Sequence, residues 1–139
     1  MADDRMFHLE IVSPDRIFYD GDADMLEITT SEGEIGVYKG HIPLTAMVTP
    51  CIATIHKGAD EKLAAIHDGF LEILPDKIVV LSESCEWPDE IDVKRAEEAR
   101  VRAERRLKGG DGTINVTRAE MALKKALIRI ELAGERRGV

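Results

Sequence analysis

The stretch Gly33-Glu34-Ile35-Gly36-Val37-Tyr38-Lys39-Gly40-His41-Ile42-Pro43-Leu44 decides how the longer, first part of this 139-residue chain must be read. Glycines and a proline interrupt its short apolar pieces too often for a helix. A central strand cannot hold the proline, which has no N–H for the ladder. Gly33, Gly36 and Gly40 suit turns or bulges that need positive φ, with brief strands between them. The same texture continues on both sides. Phe7, Leu9 and Ile11 alternate with His8 and Glu10, the pattern of a half-buried strand. Ser13-Pro14-Asp15 ends it, Arg16–Tyr19 resumes, and Asp20-Gly21-Asp22 is expected to turn again. Met25–Thr29, Thr45–Val48 and Cys51–His56 follow as strands. Lys57-Gly58-Ala59-Asp60 should join Cys51–His56 to Lys62–His67 as a hairpin, which would let His56 and His67 face each other. Gly69–Leu74 and Ile78–Leu81 flank the turn Pro75-Asp76-Lys77. Strands recurring about every 8–12 residues with polar turns predict an antiparallel sandwich or flattened barrel over residues 1–87.

The period changes at Trp87-Pro88. From Asp89 onward the chain is rich in Ala, Glu, Arg and Lys, all strong helix formers. Asp89 is the expected N-cap, with Glu90 and Asp92 in the first turn. Ala96, Ala99, Ala103 and Leu107 step by three and four and form one narrow apolar stripe. Gly109-Gly110-Asp111-Gly112 stops that helix. A second is expected from Thr117-Arg118-Ala119-Glu120, which has the form of a capping box, with Val116 and Met121 as its hydrophobic staple. Its stripe is Ala119, Ala122, Leu123, Ala126, Leu127 and Ile130. Residues 88–139 thus read as an antiparallel two-helix hairpin, and the whole chain as α+β. Alanine stripes bury little area, about 0.8 kcal/mol per methyl against roughly 1.5–3 for a buried Leu or Ile. A hairpin held so weakly suits a movable element.

Charge divides the chain at the same place. Residues 1–88 carry 17 acidic and 6 basic groups, whereas residues 89–139 carry 10 acidic and 13 basic ones, within a formal total of -8. That total excludes general nucleic-acid binding, which needs a basic footprint. No apolar run approaches the ~20 residues of a membrane span. The start Met1-Ala2-Asp3-Asp4-Arg5 lacks the pattern of a secretory signal and is too acidic for a transit peptide, so an intracellular place is expected. Cys51 and Cys85 are read as reduced structural thiols, and the sequon Asn115-Val116-Thr117 as silent.

Three ordered motifs carry a family resemblance. Gly33–Leu44 resembles the signature of the epsilon subunit of F-type ATP synthase. Gly69-Phe70-Leu71-Glu72-Ile73 is similar to that family's G-F-L-E-V segment, and Ile91-Asp92-Val93-Lys94-Arg95-Ala96 to its I/L-D-x-x-R-A motif. Asp68 and Cys51 depart from it, standing where a second glycine and Pro-Gly are usual. The resemblance implies a central-stalk subunit of F1Fo ATP synthase whose sandwich binds the gamma subunit and rests on the c-ring. Ile35, Gly36, Val37, Gly40, His41, Pro43 and Leu44 are candidates for that subunit interface, with His41 shaping the loop. The hairpin is expected to extend toward the alpha/beta hexamer and inhibit ATP hydrolysis. The implied location is peripheral, on the cytoplasmic face of a bacterial inner membrane.

The resemblance further implies that the folded hairpin binds ATP as a regulatory ligand. Ile91, Asp92, Arg95, Ala96 and Arg102 of the first helix would meet Arg118, Lys125 and Arg129, which share a face of the second by spacings of seven and four. Nucleotide-binding members carry Arg where this chain has Lys125, and a lysine lacks the bidentate fork. Asp92 has a plainer reading as a first-turn charge paired with Arg95. No P-loop, nucleophile elbow or H-E-x-x-H motif is present, and the four histidines are scattered. No catalytic residue, metal site or required cofactor is therefore expected. A free-standing nucleotide-sensing module and a hydrolase on a sandwich scaffold are the rival readings.

Overall fold

Alternation of apolar and polar residues is what builds the first ten elements. In a computed structural model, which describes residues 4–109 and 115–137, β1 (Phe7–Ser13) buries every second side chain, with Leu9 and Ile11 fully enclosed. Then come β2 (Arg16–Ala23), β3 (Met25–Thr30), β4 (Gly33–Val37), β5 (Leu44–Val48), β6 (Cys51–Lys57), β7 (Asp60–Ile66), β8 (Gly69–Ile73), β9 (Lys77–Ser82) and the two-residue β10 (Cys85–Glu86). They form one sheet in the order β10-β7-β6-β3-β5-β8-β9-β1-β2, with β4 paired to β3. Leu26, Ile28, Val37, Ile55, Ile66, Leu71 and Val80 fill the core between its layers. The chain divides into two compact units, residues 1–86 and 87–139.

Glycine matters at two kinds of place. Gly33, Gly40 and Gly58 take positive φ (122°, 83° and 61°), which turns the chain without the Cβ penalty. Gly58 opens the two-residue loop between β6 and β7, which closes on Lys57↔Asp60. Gly69 serves closeness instead: a Cβ there would run into the Leu81 carbonyl of β9. Gly36 is an ordinary strand residue opposite Glu27, where a Cβ would meet only the flexible end of Met25, Cε at 2.9 Å, which can move aside.

Several elements differ from expectation. Asp20-Gly21-Asp22 does not turn but continues β2, pairing with Glu10, Leu9 and His8 of β1. A bulge between Ile11 and Val12 resets the register, so the two aspartates stand on the outer face of a strand. One pairing is parallel, β1 with β9. More than sixty residues separate these strands, so no tight turn dictates their direction. His56 and His67 do not face each other: His56 pairs with Glu61, and His67 lies past the far end of the hairpin, beyond Ile66↔Cys51.

In the second unit, Pro88–Glu90 form a 3-10 turn, with the Trp87 N–H donating to Glu90 Oε1 (2.8 Å). Ile91 then returns to extended backbone, so the N-cap of α1 (Val93–Lys108) is Asp92 and not Asp89. Gly109 caps its other end, with its N–H on the Arg105 carbonyl (2.9 Å). Gly110, Asp111 and Gly112 lie outside the described residues. Asn115, the sequon asparagine, caps α2 (Val116–Arg137): its Oδ1 accepts from Arg118 N–H at 3.1 Å. Val116 is therefore inside the helix and exposed, so the expected staple across Thr117 is not formed. Ala96 and Ala103 of α1 and Ala119 and Ala126 of α2 are buried where the two helices pack. Leu127 leaves the expected stripe, at 46 % exposure, while Leu132 and Ala133 join it; α2 also packs on the 3-10 turn.

Candidate functional site

Register turns scattered residues into a surface on the sandwich. Met47 pairs with Phe70, Phe70 with Leu81, Leu81 with Val12 and Val12 with Ile17, one row across β5, β8, β9, β1 and β2. Met47, Phe70, Leu81 and Ile17 are 45 to 67 % exposed, and Val12 is half-buried. Side chains on one strand face stand side by side across a ladder, so this is a continuous apolar strip on the outer face. Neighbouring rows are polar: Thr45, Glu72, Glu10 and Asp20 around Val79, then Lys77, His8 and Asp22. The loop Tyr38–Pro43 adds Tyr38 and Ile42, the latter 73 % exposed. Of the residues expected at an interface, Gly36, Gly40, Pro43 and Leu44 are exposed, and Ile35 and His41 are half-buried. Val37 is wholly in the core and can only support that surface. His41 is spent on the loop, with Nδ1–H donating to the Ile42 carbonyl (2.7 Å) and its N–H to the Tyr38 carbonyl (3.2 Å).

Small residues set a second face, on the helices. Arg95 and Arg102 each precede a buried alanine of α1, and Arg118 and Lys125 each precede one of α2. In an antiparallel pair, the positions one residue before each buried residue fall on the same side of the hairpin. Arg129 follows Lys125 by one turn on that side. Because the end of α2 packs at Pro88–Glu90, Arg129 lies within about one turn of the level of Arg95. Arg118 is about 16 Å further along, toward the loop. Arg95, Arg102 and Arg118 are exposed, and Lys125 and Arg129 are half-buried. Ile91 and Ala96 are buried packing residues under this face. Asp92 is exposed, but its Oδ1 accepts the Arg95 backbone N–H at 3.1 Å, so its plain role is the cap. Arg100 is engaged by Glu104 (2.8 Å) and Glu97 (2.9 Å), which push its pKa up.

Other polar groups have structural partners. Ligand atoms of His8, Glu10 and Asp20 lie within 4.8 Å of one another, enough to hold a divalent ion. The group already has protein partners, with His8 Nε2 at 2.9 Å from Asp20 and Lys77 at 3.7 Å from Glu10. Sequence could not show it, because it needs the β1–β2 register. His56 donates to Glu27 at 2.5 Å. Cys51 and Cys85 are buried on either side of Ile66, two strand spacings or about 10 Å apart, too far for a disulfide. Burial pushes the Cys85 thiol pKa up, opposed by the Ser82 hydroxyl and Arg16.

The chain is thus a sandwich with an exposed apolar strip, followed by a helical hairpin with a cationic face. Its family model matches in tandem: "ATP synthase, Delta/Epsilon chain, beta-sandwich domain" over residues 6–88 and "ATP synthase, Delta/Epsilon chain, long alpha-helix domain" over residues 89–134. The chain is 41 % identical over 133 residues to an ATP synthase epsilon chain of Caldanaerobacter subterraneus, covering 95 % of this chain and 96 % of that one. It is also 41 % identical over 128 residues to one of Halalkalibacterium halodurans (91 % and 96 %). A solved chain from the Euglena gracilis mitochondrial ATP synthase, OSCP/F1/c-ring assembly, has the same fold, with TM-score 0.80 and 20 % identity over 96 % of this chain and 84 % of that one. The chain belongs to the ATP synthase delta/epsilon family, on the epsilon-chain side.

Proposed function

We propose that this chain is a non-catalytic central-stalk subunit of a bacterial rotary ATP synthase. In this reading the sandwich, residues 1–87, joins the gamma subunit to the c-ring, and the helices, residues 88–139, act as a mobile brake on ATP hydrolysis. The observation that carries the docking role is the apolar row Met47–Phe70–Leu81–Val12–Ile17. Contiguous exposed apolar surface of this kind marks protein–protein contact. The loop carrying Tyr38, His41 and Ile42 supplies a second surface for the ring. Nothing in either surface resembles a nucleophile–base pair, which is consistent with a coupling part.

The brake reading rests on the hairpin. Its net-positive helices suit acidic segments of the alpha/beta hexamer. ATP is the regulatory ligand in this reading, held by Arg95, Arg129, Lys125 and Arg102, with Arg118 at the margin. It favours the folded hairpin only by its differential affinity for the two states. The protein would then sit peripherally at the cytoplasmic face of the inner membrane.

Co-expression with gamma tests the docking role. The chain should co-purify with gamma, and Phe70→Glu should abolish this while leaving the sandwich folded, since Phe70 is exposed. Retained co-purification by Phe70→Glu would take the row out of the interface.

A further inference from the structure

The chain leaves the sandwich through β10, a strand of only two residues, Cys85 and Glu86. β10 is one edge of the sheet and, among the described residues, pairs only with β7, as Cys85↔Ile66 and Glu86↔Ala65. So short a ladder should fray, because each end residue exchanges readily with water. Side chains hold it instead. Arg16 opens β2, the opposite edge of the sheet, and its Nη2 donates to the Cys85 carbonyl at 3.0 Å across 69 residues of sequence. One guanidinium thus bridges the two edges, and it lies 5.0 Å over the Phe18 ring, which fixes its plane. His67, fully buried, donates Nε2–H to the Glu86 carboxylate at 2.9 Å. His67 is itself tied down: its N–H donates to the Ser84 carbonyl (3.1 Å), and its carbonyl accepts from the buried Ser82 hydroxyl. Its Nδ1 has no hydrogen-bond partner among the described residues, so the ring's buried polar contact is spent on Glu86.

We propose that Arg16 and the His67–Glu86 pair form a clasp that pins the exit strand, so that reorientation of the helices begins at Trp87-Pro88 and does not unzip the sandwich. The inference deepens the brake reading and takes its purpose from it, but the clasp is a property of the chain alone. The Arg16 link reaches β10 from 69 residues away, and the His67 link adds a side-chain hold just past the end of β7. A strand that merely completed the sheet would need only its ladder.

Amide exchange on the full-length chain tests this, with Arg16→Ala, Glu86→Ala and Glu86→Gln compared with the unmodified protein. Exchange at Cys85 and Glu86 should accelerate by about tenfold or more in both alanine variants, the loss of one sizeable hydrogen bond in local opening. Amides of β3 and β6 should keep their rates. Glu86→Gln, which still offers an oxygen to His67, should stay within about threefold of the unmodified rate. Trp87 is the only tryptophan, so its fluorescence anisotropy should fall in the alanine variants alone. Unchanged exchange at Cys85 and Glu86 in both alanine variants would overturn the clasp. Equal acceleration throughout β1 to β9 would overturn it too, since the side chains would then hold the whole sandwich. Failure of the stalk reading would appear separately, as absence of gamma binding with the exchange pattern intact.

Discussion

The two units of this molecule are held together by different chemistry. The sandwich buries Leu9, Ile11, Leu26, Ile28, Ile55, Ile66 and Leu71 completely. Each is worth roughly 1.5–3 kcal/mol of burial, and every strand but β10 is locked by several paired residues. The helical unit buries mainly Ala96, Ala103, Ala119, Ala126 and Ala133, with Ile91 and Leu132 as its larger anchors near the open end. Alanine lets helices approach closely but supplies little adhesion. The same chain therefore carries one part held by large apolar side chains and one held mostly by alanine. The charge imbalance follows the division, acidic before Trp87 and basic after it.

The contrast can be broken most sharply by two leucines, both wholly buried. Leu71→Ala should lower the stability of the sandwich by roughly 2–5 kcal/mol in a urea melt. Leu132→Ala should leave that transition in place and remove helical circular dichroism at lower urea. One shared transition in both variants would mean a single cooperative unit, and the contrast would fail. Next in size, Arg95→Ala or Arg129→Ala should weaken ATP binding by about 1.5–3 kcal/mol, the value of a charge-assisted hydrogen bond. Calorimetry with unchanged affinity in both would remove those side chains from a nucleotide site. Lys125→Arg should tighten ATP binding by roughly 1 kcal/mol, because the planar fork can make two parallel bonds to phosphate. An equal change in helix stability with and without ATP would make position 125 structural. The smallest effect is expected of Leu127→Glu, within about 0.5 kcal/mol, since that side chain is outside the helix pairing. A larger loss of helicity would return Leu127 to the packed stripe.

Local pattern was legible where the signal lay within one element. Alternation along Phe7–Ile11 and the Gly58 hairpin could be read directly, as could the change of period at Trp87-Pro88. Asp20-Gly21-Asp22 could not, because composition there says turn and only the pairing with β1, past its bulge, says strand. The Asp92 cap was hidden by Asp89: both can cap, and the 3-10 turn at Pro88 decides between them. Leu127 was misassigned and Leu132 missed for a related reason. α2 carries apolar residues on two adjacent faces, and only contact with α1 and the 3-10 turn selects which is buried. The spacing of seven from Ala126 to Ala133 was the available signal for the longer stripe. The apolar row lay beyond any reading of spacing, since its five members come from five strands scattered between residues 12 and 81.

The most direct test is ATP hydrolysis by assembled enzyme in which this chain lacks residues 90–139. The strands close before Trp87 and have their own core, so the shortened chain should fold and assemble. The account predicts that hydrolysis then runs faster than with the full chain, while ATP synthesis persists. Hydrolysis at the unmodified rate in a fully assembled enzyme would contradict it, and so would a shortened chain that cannot fold or join the complex.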